Sequence, residues 1–207
     1  MSRQVTGKAT VSDQLSALRL IIDQVGVIDG IGSALQSAGS IEALFTSLGP
    51  PNTAEERASR EQAGPAILLY RALIDRVGQE RALTVVEQVI ANGALRFLGR
   101  QLQDLDPTQY RAWTDEQRLQ RAQGWLERFF TAEAQLTNLD DQRVEFEVSG
   151  CALNRLSIAS GHPELAPLFC RADAAFFRTR GVQLNVPERL ATGDKRCHFI
   201  LELDATK

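Results

Sequence analysis

The chain has 207 residues, 43% hydrophobic and 24% charged, with 26 acidic against 23 basic side chains for a formal charge of −3. That length suits one large domain, or a core domain with an extension, and the balance of side chains is that of a globular protein. A mildly acidic chain without a basic run is a poor nucleic-acid binder, and no apolar run of roughly 18 residues is present to span a membrane.

Residues 1–11 read as a lead-in without the apolar segment of a signal peptide. Ser12 is placed to cap a helix whose stripe is Leu15, Leu18, Ile22 and Val25. Glycines at 26, 30, 32 and 39 then divide a charge-poor stretch into short helical pieces, carrying Ile28, Ile31 and Leu35 and then Ile41, Leu44, Phe45 and Leu48. Residues 1–52 are expected to form a helical N-terminal extension. Its stripes either pack on the main domain or supply a homodimer surface. Gly49-Pro50-Pro51-Asn52 is a break, and residues 53–207 are expected to form the α+β domain.

Residues 53–62 are polar, and Gly64-Pro65 is expected to open a helix through Ile67, Leu69, Leu73 and Val77. A longer helix from Glu80 carries Val85, Val86, Val89, Ile90, Phe97 and Leu98 on a broad apolar face, which marks it as central. Asp106-Pro107 breaks the pattern. Thr114 and Gln117 fit a capping box for a helix with Leu119, Trp125, Leu126, Phe129 and Phe130. Residues 136–142 read as a polar turn.

The period then changes to two. Val144, Phe146 and Val148 alternate with Glu145 and Glu147, which predicts a half-buried strand. A helix over 151–160 ends at Gly161, and another runs from Pro163 to about Arg178. Val182, Leu184 and Val186 alternate again, and Lys195–Leu203 returns as a strand after the turn at 191–194. The fold class is therefore α+β: a helical N-terminal half packed with a small antiparallel sheet in the C-terminal third.

All three cysteines lie in that last third, spaced Cys151-x18-Cys170-x26-Cys197. An odd number of thiols argues against a disulfide framework and for a reducing, cytoplasmic location. Cys170 and Asp173 are three apart on one helix, so they share a face. Alternation puts Cys197 with Phe199 and Leu201 on one face of the last strand and His198 on the other. At Cys151 a helix N-terminus and Arg155 both favour thiolate, as Lys195 would near Cys197. Buried, inert thiols are the competing reading at each position. Zinc held by the three cysteines with His162 or Asp173 is a weaker alternative, since no Cys-x2-Cys pair is present.

The run Cys151-Ala-Leu-Asn-Arg-Leu-Ser-Ile-Ala-Ser-Gly161-His-Pro163-Glu164-Leu165, followed by Cys170 and Asp173, resembles the L-2-amino-thiazoline-4-carboxylic acid hydrolase family. So do the ending Gly193-x3-Cys197-x-Phe199 and, more loosely, Tyr70–Ala82. The resemblance implies hydrolytic opening of a small cyclic amidine, a C–N substrate of the thiazoline-carboxylate type. It implies Cys151, Cys170, Asp173 and Cys197 as catalytic candidates: a cysteine as nucleophile or metal ligand, and Asp173 as general base or ammonium anchor. Arg155, Arg189 and His162 are the substrate-binding candidates, an arginine being suited to a carboxylate. The family's usual Cys-Asp-Phe ending is Cys197-His198-Phe199 here. The same ending also resembles 4-vinyl-reductase-type ligand-binding domains, which implies the alternative of a non-catalytic small-molecule, tetrapyrrole or metal-binding accessory protein. The expected partner is a small molecule, with neither nucleic acid nor membrane, and no cofactor is implied beyond the weak zinc alternative.

Overall fold

The computed structural model describes residues 10–37, 41–129 and 131–203. The lead-in up to residue 9, Gly39 and Phe130 lie outside them.

Helices α1 (Val11–Val25) and α2 (Val27–Gln36) form a hairpin at Gly26, whose φ of 88° suits glycine. The cap of α1 is Thr10 rather than Ser12: Thr10 and Asp13 close a reciprocal capping box. The short α3 (Ile41–Leu44) and a 3₁₀ turn at Thr46–Leu48 lead into α4 (Ala54–Val77) and α5 (Gln79–Gln101). The hairpin lays α1 on α5 and α2 on α4, and α3 also packs on α4. Ile21, Leu44 and Phe45 thereby join the same core as Ile67, Leu73 and Val86. The opposite face of the hairpin leaves Val27, Ile28, Ile31 and Leu35 exposed.

Gly64-Pro65 does not open a helix; α4 starts ten residues earlier and runs through it. Thr53 caps that earlier start by accepting from the Glu56 N–H at 3.0 Å. Proline inside a helix costs about 3 kcal/mol. Buried residues on both sides, from Ala58 to Leu73, supply more than enough packing to carry the helix across it. Gly64 marks a close approach: a Cβ there would lie 2.9 Å from Ile41 Cγ2.

Helices α6 (Pro107–Ala112) and α7 (Asp115–Leu126) follow, the second with the expected Thr114–Gln117 capping box. The sheet then forms from β1 (Glu133–Leu139), β2 (Arg143–Ser149), β3 (Gln183–Asn185) and β4 (Cys197–Glu202). Its strand order is β1-β2-β4-β3, and each neighbouring pair is antiparallel. The expected turn at 136–142 is mostly strand β1. It was hidden because an edge strand buries little, and its register slips between Leu136 and Asn138, which breaks the period of two. Between β2 and β3 run α8 (Ala152–Ala159), a 3₁₀ turn at Pro163–Leu165 and α9 (Ala166–Thr179).

Two hydrophobic cores result. One lies among the helices, and the other lies under the sheet around Trp125, Phe146, Phe199 and Leu201. Helix α9 belongs to both: Leu168, Phe169 and Ala172 enter the helical core, Phe176 and Phe177 the sheet core. Among the described residues no helix is long and apolar enough to cross a membrane.

Phe45 is fully buried, with the Arg60 guanidinium 5.7 Å from its ring centre. Phe45→Ala is expected to lower unfolding free energy by about 3–5 kcal/mol in a denaturant titration. A loss near zero would show that the segment before α4 is dispensable to the core.

Candidate active site

Cys151 ends the turn from β2 into α8, made by Gly150 with a φ of 60°. Cys170 and Asp173 project from α9. Cys197 opens β4, paired with Val148. These four side chains line one cavity of about 70 Å³. Its floor is the sheet, where Phe146 and Phe199 stack 4.9 Å apart. Asn154 of α8, Thr131 before β1, and Leu190 with Ala191 after β3 complete its edges.

Asp173 is the acid of this cavity. Its side chain is half-buried but densely surrounded, and that desolvation alone pushes its carboxyl up to about 7. Among the described residues neither a hydrogen-bond donor nor a cation offsets that cost. Of the side chains lining this cavity of about 70 Å³, the other titratable ones are the three thiols. Burial is also what raises each of them, Cys170 to about 12. At Cys151 the backbone N–H groups of Asn154 and Leu153 pull the other way but do not win. The expectation that the helix N-terminus and Arg155 would favour thiolate there is corrected: desolvation outweighs the N-terminal N–H groups, and Arg155 is turned to solvent and is not among the main influences on this thiol. Cys197 accepts a hydrogen bond from the Leu190 N–H at 3.3 Å, and its thiol too stays high. Near neutrality all three are therefore thiols.

The three substrate-binding candidates separate. Arg189 is exposed, directly before Leu190 at the cavity edge, and its charge reaches both Cys170 and Cys197. Arg155 does not line the cavity; it is exposed on α8, and its charge acts on Glu56. His162 is also outside the cavity lining. Arg71 Nε donates to His162 Nε2 at 3.1 Å, so the ring's Nδ1–H faces Glu164 at 3.3 Å. That arrangement ties the turn before α9 to α4. On β4, His198 faces away from Cys197 and meets Glu145 at 3.0 Å. Among the described residues no group of three or more His, Cys, Asp or Glu side chains is placed to hold a metal ion.

The family profile for L-2-amino-thiazoline-4-carboxylic acid hydrolase matches residues 57–201. The chain belongs to that family. Searches of curated proteins and of solved structures find no match. The matched span holds all four cavity residues and Arg189, so the L-2-amino-thiazoline-4-carboxylic acid hydrolase family assignment covers the whole site. Sequence reasoning missed Asn154 and Thr131. Asn154 is three residues from Cys151, a helical spacing that could have flagged it; Thr131 lies in a linker with no periodicity to read.

Two outcomes test this electrostatic picture. An acid whose folded pKa is raised makes the folded state bind more protons than the unfolded chain. Stability from Asp173 is therefore full below about pH 4 and is lost as pH rises toward 7. Asp173→Asn should match wild type near pH 4 and exceed it at pH 8 by roughly 2–4 kcal/mol in chemical denaturation. In the folded protein at pH 7.5 an aromatic disulfide reagent should label the cysteines slowly, whereas unfolding should release all three together. A fast-reacting thiol in the native state would contradict the burial argument.

Proposed function

We propose that the protein is a hydrolase that opens a small cyclic amidine of the 2-aminothiazoline-4-carboxylate type, with Asp173 moving the proton. The observation that carries this reading is a lone carboxyl in an apolar cavity, held near pH 7 by burial, in a chain of this family. A general acid–base is most effective when its pKa lies near the working pH.

Asp173, ionised, takes a proton from a water as its oxygen bonds to C2 of the ring. The tetrahedral carbon then carries the hydroxyl, the ring nitrogen, the ring sulfur and the exocyclic nitrogen. The hydroxyl proton passes to the ring nitrogen as C2–S breaks and the carbonyl forms, and Asp173 returns the first proton to the departing sulfur. Water plus ring gives an N-carbamoyl-cysteine. The bond broken is thus C–S, at the carbon of a C–N system. Asn154 is placed on the same wall to orient the water or the hydroxyl. Arg189 at the edge suits the substrate carboxylate, which finds no cation among the cavity's lining residues. The thiols, held neutral, supply a soft water-poor lining rather than a nucleophile. That environment is also what sustains the acid's high pKa.

The test is turnover of 2-amino-2-thiazoline-4-carboxylate followed by release of free thiol. Asp173→Asn should cut kcat by about 10²–10⁴-fold while still folding. Wild-type kcat/KM should rise with pH through about 7, since the base must be ionised. Arg189→Ala should raise KM far more than it lowers kcat. Cys170→Ala and Cys151→Ala should keep activity within about tenfold; loss on the nucleophile scale in either would reassign the chemistry to a thiol. Absence of turnover together with ligand-induced thermal stabilisation would favour the accessory binding protein instead.

A further inference from the structure

Asp173 faces a second space. A larger cavity, of about 270 Å³ against about 70 Å³ for the first, lies between α1, α4, α5 and α9. The two share Phe129, Thr131, Leu153, Phe169 and Asp173, so they meet at the acid. Arg189 stands at the other end, beside Leu190 and Ala191, which line the first cavity alone.

The second cavity is lined mostly by small or apolar side chains, including Ala17, Ala66, Val89 and Ala94, with Asp13, Gln14, Glu61, Gln62, Asn92 and Arg100 as polar members besides those shared with the first. Helix α1 is held across it by polar ties: Ser16 Oγ donates to Asn92 Oδ1 at 3.2 Å, and Arg96 pairs with Asp13 at 3.3 Å. Gly93 also lines it, in the middle of α5, and a Cβ there would meet nothing within 4 Å. Glycine in a helix interior is unfavourable. Here no close neighbour requires it, so its effect is to leave the cavity open.

We propose that this chamber receives a substituent on the exocyclic nitrogen of the substrate, so that the preferred substrates are N-substituted 2-aminothiazoline-type rings with an apolar group of about aromatic side-chain size. The inference rests on the reading of Asp173 and Arg189 given above. With the carboxylate toward Arg189 and C2 at Asp173, the group attached to C2 is the one directed past the acid into the chamber. The reaction is unchanged: water bonds to C2, C2–S breaks, the ring nitrogen takes one proton of the water and sulfur the other, and the substituent leaves on the distal nitrogen of the carbamoyl-cysteine.

The probes are 2-benzylamino-2-thiazoline-4-carboxylate and its unsubstituted 2-amino parent. Wild type should show kcat/KM at least about tenfold higher for the benzylamino compound. In Gly93→Phe, which fills the chamber, that ratio should fall to about one or below. Gly93→Ala should keep the preference and melt no lower than wild type, and Gly93→Leu replaces the phenylalanine variant if that one does not fold. A wild-type ratio of one or less, or a ratio unmoved by filling the chamber, overturns the proposal. If neither compound is turned over, the hydrolase reading fails on its own and calorimetry decides the chamber. Binding of the benzylamino compound weakened about tenfold or more by Gly93→Phe supports it, whereas equal binding, or none to wild type, overturns it.

Discussion

Helix α9 has to serve two hydrophobic cores at once. Its first turns bury Leu168, Phe169 and Ala172 among the helices, and its last turns bury Phe176 and Phe177 against the sheet. The two cores meet along its middle. The seam between them is where packing leaves room, and Asp173 stands in that seam with a cavity on either side. The perturbed acid, the raised thiols and the second chamber all lie along this seam.

The seam also explains why the acid is tolerated. A buried carboxylate without a partner is costly, and the usual remedy is an arginine or a set of N–H donors. Neither is supplied among the described residues, so the group relieves the cost by holding its proton up to about pH 7. A fold that leaves such a cost uncompensated at one position, while pairing Asp104, Glu56 and Glu145 elsewhere, concentrates its unfavourable electrostatics at the cavity. The same low-polarity environment raises the thiols. Burial, one cause, therefore raises the acid and the thiols alike.

Much of the fold was legible in the residues. The period of two at 144–148 and 197–203, the capping box at Thr114 and the glycine breaks at 26 and 161 each act locally, so sequence order carries them. The failures share a reason. Pro65 suggested a boundary because local rules count the lost hydrogen bond, while the packing that outweighs it comes from distant residues. Strand β1 was read as a turn because its pairing with β2, rather than its own pattern, makes it a strand. At the site, helical spacing placed Cys170 beside Asp173, and alternation turned His198 away from Cys197. Asp173 beside Cys170 does raise that thiol, as their shared face implies, but the upward shift at Cys151 was not legible, because desolvation depends on what surrounds a group in space.

Sequence alone determined the α+β class, the family, and the faces on which the cysteines and Asp173 lie, since these rest on short-range periodicity and motif spacing. Only the tertiary structure decided that the four converge on one cavity, that Arg189 and not Arg155 or His162 stands at its edge, and that a second chamber opens behind the acid. Those depend on how α9 crosses from one core to the other. A crossing is set by the fit of side chains far apart in the chain, which no local pattern encodes.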